Sequence, residues 1–227
     1  MMLSRAAVLA ALVLLAMGTA RQTPVRYLAL GDSFTIGTGS GADKAFPARV
    51  VANLAARGVP AELKNLAVNG YSTQELLDLE LPQIGAFKPT VVTLAVGAND
   101  IVRGREPEEY RANLKALFKG LTTQGIKADT IYCLPQPDWS KSPTALAFGE
   151  PDQTFDQISL YNEILRQEAA AAGAHWVNLF DLMEQQAKDH QLADDGLHPD
   201  AKSHQQWADA LAKQVPAFSA EALRRKP

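Results

Sequence analysis

The chain has 227 residues, 47% of them hydrophobic, which suffices for one domain with a full core. Lys and Arg number 22 against 25 Asp and Glu, and the only basic cluster is the solvated end Arg224-Arg225-Lys226, so nucleic-acid binding is unsupported. The single cysteine, Cys133, excludes an internal disulfide and fits a buried strand position in Thr130-Ile131-Tyr132-Cys133-Leu134.

The chain opens with a leader pattern. Arg5 precedes the apolar run Ala6 to Met17, and Gly18-Thr19-Ala20 offers small residues for cleavage. This predicts a secretory signal peptide over 1–20 and a secreted or periplasmic domain over 21–227. The run is short for a spanning helix, and an uncleaved anchor is the alternative. No cysteine follows it to carry a lipid, and loss of Arg5 makes the charge one unit more negative.

Strand and helix patterns alternate from Val25 onward. Val25 to Leu30 reads as a buried strand that stops at Gly31. Asp32-Ser33 and the glycine-rich Gly37-Thr38-Gly39-Ser40-Gly41 follow. Phe46, Val50, Val51 and Leu54 fall at helical spacing, and Gly58 stops that helix. Glu62 to Val68 reads as a second strand, then Asn69-Gly70-Tyr71, then a short helix to Leu79 capped by Ser72 or Thr73 with Glu75 close behind. Thr90 to Val96 is apolar on both faces, as in a central parallel strand, and Gly97-Ala98-Asn99-Asp100 closes it. Pro107 to Leu121 is amphipathic, with Tyr110, Leu114, Leu117 and Leu121 on one face.

Ile131 to Leu134 is the fourth strand. Pro135 to Asp152, with four prolines, Trp139 and Phe148, reads as a long loop and a candidate substrate wall. Phe155 to Ala172 is helical, His175 to Leu179 is the fifth strand, and Phe180 to Lys188 is a short helix. Asp194-Asp195-Gly196-Leu197-His198-Pro199-Asp200 then leads into a last helix from Ala201 to Val215. This alternation predicts a mainly parallel sheet with helices on both faces. Right-handed crossovers bring strand ends of one polarity to one edge, where Ser33, Gly70 and Asn99 meet.

A serine just past the carboxyl end of an inner strand is placed to act as a nucleophile, although Asp-Ser after a strand also caps helices. Serine attack needs a base, a group to hold the base and donors for the oxyanion. Of the four histidines, His175 lies at a strand start, and His190 and His204 fall on polar helical or loop faces. His198 sits in a loop before a helix, with Asp195 three residues earlier, a spacing that lets a carboxylate reach the imidazole. Asp194 reads as a bystander. Asp32 and Asp100 read as turn residues.

Gly31-Asp32-Ser33, Gly70, Gly97-Ala98-Asn99-Asp100 and Asp195-Gly196-Leu197-His198-Pro199, in this order, resemble the four blocks of the SGNH (GDSL-type) hydrolases, from about Tyr27 to the chain end. Phe34 departs from the leucine of the family's motif and is expected to pack in the core. The resemblance implies a flavodoxin-like three-layer α/β/α sandwich with a central five-stranded parallel sheet. It implies hydrolysis of esters or thioesters through an acyl-serine, with Ser33 as nucleophile, His198 as base and Asp195 orienting it. It implies an oxyanion hole from the Ser33 N–H, the Gly70 N–H and the Asn99 side chain. A glycine suits close approach to a substrate oxygen, and an amide offers neutral N–H donors. No metal or cofactor is implied, and no Cys/His cluster has ligand spacing.

The expected partner is a small-molecule, lipid or sugar ester. Carbohydrate O-acetylesterase and lysophospholipase or thioesterase activities are alternatives on the same site. A non-catalytic binding module would show erosion at one of these positions, and none is eroded. A phosphate site on Gly37–Gly41 lacks the G-x-x-x-x-G-K-[ST] pattern.

Overall fold

A computed structural model describes residues 23–219; the leader expected over 1–20 lies outside the described residues. Five strands, β1 (Val25–Gly31), β2 (Ala61–Asn65), β3 (Val91–Ala95), β4 (Ile131–Cys133) and β5 (His175–Trp176), form one sheet in the order β2-β1-β3-β4-β5. Every pairing is parallel. Five longer helices connect and flank them: α1 (Phe46–Ala56), α2 (Pro107–Thr123), α3 (Pro151–Ala172), α4 (Phe180–Lys188) and α5 (Ala201–Gln214). No helix among the described residues is long and apolar enough to cross a membrane.

The topology follows from chain direction. From β1 the chain moves outward to β2, then returns past β1 to β3, β4 and β5. Right-handed crossovers in opposite directions put their helices on opposite faces of the sheet. Accordingly α1 packs on α5, and α2 packs on α3. The direction reverses between β1 and β3, and a crevice opens at such a switch point outside the carboxyl ends of the strands. The core is continuous: Leu28, Ala29, Leu30, Val92, Leu94 and Cys133 of the central strands are fully or almost fully buried. Tyr27 and Thr93 share a 2.8 Å hydroxyl–hydroxyl hydrogen bond between β1 and β3 that satisfies both groups inside the core.

Three elements differ from the sequence expectation. The second strand ends at Asn65 rather than Val68, because Asn65 Oδ1 accepts from the Ala67 N–H at 3.1 Å and turns the chain. The fifth strand pairs only over His175–Trp176, since β4 is itself three residues long and Pro135 brings no N–H to a longer ladder. Helix α3 begins at Pro151, four residues before Phe155, with the proline in the first turn, where its missing N–H has no helical acceptor to satisfy.

His204 also departs from expectation: it is fully buried rather than on a polar face. Its Nδ1 accepts the Phe46 N–H at 3.3 Å, tying the start of α1 to α5, so the ring is neutral and carries its proton on Nε2. Burial is the main cause that holds its pKa down to about 4. The unfolded chain takes up a proton near pH 6.5 and the folded one does not. The His204 contribution is therefore intact above pH 6.5 and is lost as pH falls toward 4, by up to about 3 kcal/mol. Denaturant titrations at pH 7.5 and 5 are expected to show this loss in the wild type and a smaller one in His204→Asn, which keeps an acceptor but does not titrate. An equal loss in both proteins contradicts the assignment.

Gly31 closes β1 at φ +154°, and a Cβ there would lie 2.3 Å from the Ala95 carbonyl oxygen and 2.5 Å from Thr35 Oγ1. Gly31→Ala is expected to lower stability by about 2 kcal/mol or more, read as a fall in the denaturation midpoint. A midpoint unchanged from wild type would show that the strand ends separate easily.

Candidate active site

At the last rung of the central pair, Gly31 is in register with Ala95, so the turns leaving β1 and β3 run side by side. After β1 the chain makes a single helical turn, Ser33–Ile36, whose cap is Asp32: its Oδ1 accepts from the Phe34 N–H at 3.1 Å. Ser33 is the first residue of that turn, and among the described residues its N–H has no acceptor. Gly37 ends the turn in the left-handed conformation that glycine adopts without strain.

Beneath this turn lies a buried carboxyl pair. Glu80 is fully buried, and its Oε2 accepts from the Gly31 N–H at 3.1 Å. Burial pushes Glu80 up to about 9, with the Asp32 charge adding to it, so it is protonated at neutral pH. Burial likewise pushes Asp32 up to about 7, against the pull of the Phe34 N–H bond. Glu80 does not stand out in the sequence as a site residue. The legible signal is its place four residues after the buried Leu76 and four before the buried Ile84, a helical register for core positions.

The loop after β2 contributes Gly70. The Val68 carbonyl accepts from the Tyr71 N–H at 3.2 Å, closing a tight turn with Gly70 in its third position at φ +85°. Among the described residues the Gly70 N–H has no acceptor. After β3, Asn99 lies in a short helical turn, Ala98–Val102. One of its amide hydrogens goes to the Tyr71 carbonyl at 2.9 Å, which leaves the other available. Asp100, fully buried, accepts from Thr73 N at 3.0 Å and Thr73 Oγ1 at 2.6 Å and is ion-paired with Arg105 at 2.8 Å. It fixes turn geometry, as expected.

Asp195 and His198 sit in the loop before α5. His198 Nδ1 lies 2.7 Å from Asp195 Oδ2, while Asp195 Oδ1 accepts from the N–H groups of Leu197 and His198, each at 2.9 Å. Burial acts to raise the Asp195 pKa, but these N–H bonds and the imidazole outweigh it and hold the carboxylate below its ordinary value. An ionised Asp195 accepts a hydrogen bond from Nδ1–H, which fixes the tautomer and leaves Nε2 with its lone pair free. The ring rests against Phe34, centroid to centroid 5.1 Å. Phe34 itself is buried, as the sequence suggested.

The glycine-rich segment after Ser33 acquires a packing role here. A Cβ on Gly39 would lie 2.8 Å from Asp195 Oδ2 and 2.7 Å from Ala193 Cβ, and Ser40 Oγ donates to the Pro199 carbonyl at 2.7 Å. Glycine thus lets the N-terminal turn lie directly against the histidine loop. On the other side, Thr144 Oγ1 donates to the Asp195 carbonyl at 2.7 Å, so the Pro135–Glu150 segment braces the same loop.

Ser33, Asn99 and His198 line one cleft of about 240 Å³, together with Phe34, Asn69, Ala98, Val102, Trp139, Phe148 and Leu197. Among the described residues no hydrogen bond joins Ser33 Oγ to the His198 ring, although both face the cleft. Such contacts commonly tighten only when substrate is bound. Asp195 stands behind His198, and Gly70 adjoins the lining residue Asn69. Trp139 is buried, and it forms a cleft wall with the half-exposed Phe148, their rings perpendicular at 6.1 Å.

Comparison with known proteins agrees with this fold. The model of the GDSL-like Lipase/Acylhydrolase family matches residues 29–206. The chain is 24% identical to the arylesterase of Vibrio mimicus over 200 residues, covering 88% of this chain and 92% of that protein. It is 23% identical to the acetylxylan esterase of Xylanibacter ruminicola, covering 86% of this chain and 44% of that longer protein. Its fold is similar to that of the esterase EstA from Pseudoalteromonas sp., with TM-score 0.69 and 19% identity, over 85% of this chain and 97% of EstA. From a match that spans the sheet and runs from β1 into α5, the chain belongs to the GDSL-like lipase/acylhydrolase family.

Proposed function

We propose that this ester-hydrolysing enzyme works through an acyl-Ser33 intermediate. The observation that carries the reading is the convergence of Ser33, Asn99 and an Asp195-anchored His198 on one cleft. Ser33 Oγ attacks the substrate carbonyl carbon and its proton passes to His198 Nε2. Asp195 stabilises the resulting imidazolium through Nδ1–H. The negative charge on the former carbonyl oxygen receives the N–H groups of Ser33 and Gly70 and the second amide hydrogen of Asn99, three donors without an acceptor among the described residues. Collapse expels the alcohol, which takes the proton from His198. Water then attacks the acyl-serine with His198 again as base, releasing the acid and restoring the hydroxyl. We also propose that the enzyme is exported, on the strength of the leader pattern over 1–20.

The lining favours neutral, apolar esters. Among the described residues no Asp, Glu, Lys or Arg lines the cleft, and besides Ser33, Asn99 and His198 only Asn69 and the Trp139 indole bring a polar side-chain atom. Ala98, Val102, Trp139, Phe148 and Leu197 supply apolar walls for an acyl or aryl group. A sugar leaving group would find few hydrogen-bonding partners there, which places the O-acetylesterase reading second.

Ser33→Ala is expected to abolish hydrolysis of a p-nitrophenyl acyl ester, and a fluorophosphonate probe to label the wild type but not the variant; equal rates in the two proteins contradict the mechanism. Across a substrate panel, kcat/KM for aryl and alkyl esters of short or medium acids is expected to exceed that for acetylated xylo-oligosaccharides by roughly tenfold or more. The reverse order would favour the O-acetylesterase reading.

A further inference from the structure

Gly70 raises a problem that the reaction scheme does not answer. A preorganised donor must be held in place before charge develops, yet glycine is the residue least able to hold its own backbone. It has no side chain of its own to anchor it, and a Cβ at Gly70 would meet nothing within 4 Å. The constraint has to come from outside the loop.

It comes from Arg103. Its Nη2 donates to the Gly70 carbonyl at 2.6 Å. Its Nη1 donates to Glu75 Oε1 at 2.7 Å and reaches Ser72 Oγ at 3.5 Å. Glu75 is fixed in turn, because its Oε2 accepts from Ser72 N at 2.8 Å and Ser72 Oγ at 2.6 Å. Burial acts to raise the Glu75 pKa, but the Ser72 bonds and the guanidinium bring it down to about 2, so the anchor stays ionised in mild acid. Arg103 also stands one helical turn after Asn99. At this spacing two side chains share a face, and here they grip successive carbonyls, Asn99 that of Tyr71 and Arg103 that of Gly70.

We propose that Arg103 is a positioning residue that clamps the Gly70–Tyr71 peptide through the Gly70 carbonyl and so restrains the turn from which the Gly70 N–H faces the oxyanion, with Glu75 as the anchor of the clamp. The inference rests on the acyl-serine reading of the site. The Arg103 side chain is 45% exposed and that of Glu75 29%, and an ion pair so exposed adds little to folding stability. Its effect is therefore expected in turnover rather than in melting temperature. The guanidinium holds two groups at once through its planar fork, a geometry that the compact ammonium of lysine does not reproduce.

The test uses the full enzyme with Arg103→Ala and Arg103→Lys. Four readouts are needed: fluorophosphonate titration of active serines, kcat and KM on a p-nitrophenyl ester, affinity for phenylboronic acid as a tetrahedral adduct, and thermal melting. In Arg103→Ala, kcat is expected to fall about 10- to 30-fold, less than the roughly 10²–10³ that follows deletion of an oxyanion donor. Boronate affinity should fall by a similar factor, with KM, titratable serines and melting little changed. Arg103→Lys should recover part of the loss. A titratable wild type whose Arg103→Ala variant keeps kcat within twofold overturns the clamp alone, as does a loss confined to melting temperature or to KM. A wild type that takes up no fluorophosphonate overturns the underlying acyl-serine reading. Should Arg103→Ala fold poorly, a folded Arg103→Lys with unchanged kcat and boronate affinity overturns the clamp by itself.

Discussion

The whole site hangs from the last rung of one strand pair. Gly31 and Ala95 are in register at the carboxyl ends of β1 and β3, packed so closely that no Cβ fits between them. Parallel pairing makes this rung an edge from which both chains leave in the same direction. The turn carrying Ser33 and the turn carrying Asn99 therefore emerge as neighbours, although 66 residues separate Tyr27 and Thr93, whose hydroxyls join the two strands. The reversal of strand order falls at this same pair, so the crevice between the two turns is a consequence of topology.

Three supports hold that edge, each drawn from a different part of the chain. Protonated Glu80 accepts the Gly31 N–H from below and keeps an isolated charge out of the core. Asp100 seizes Thr73 and draws the loop after β2 toward the turn after β3. The loop before α5 is pinned from both sides, by Ser40 on Pro199 and by Thr144 on Asp195. His204 then locks α5 itself to the start of α1. The imidazole of His198 thus projects from a loop whose backbone is fixed at several points, which limits the reorganisation that a reaction would require.

Much of this was legible in the sequence because it depends on local pattern. Continuous apolar runs mark β1 and β3, since both faces of these strands are covered, and glycines at Gly31 and Gly97 mark where they stop. The Asp195–His198 pairing was legible because three residues suffice for a turn to bring carboxylate and ring together. Less was legible where a partner is remote. Glu80 looks like a solvated charge until Gly31 is placed over it, and Arg103 looks like a surface cation until the Gly70 carbonyl arrives. The burial of His204 is not legible, because one buried histidine on an otherwise mixed helix leaves no periodic trace. Pro151 reads as part of the preceding loop because a proline that starts a helix and one that interrupts it look alike in a proline-rich stretch.

The central claim concerns which atoms meet during the reaction, and a crystal structure of the enzyme after reaction with a monoalkyl fluorophosphonate addresses it most directly. The account predicts a covalent bond from Ser33 Oγ to phosphorus. One phosphoryl oxygen should lie within hydrogen-bonding distance of the Ser33 and Gly70 N–H groups and Asn99 Nδ2, and His198 Nε2 should face the leaving-group side. An adduct on another residue, or a phosphoryl oxygen turned away from Gly70 and Asn99, would contradict it.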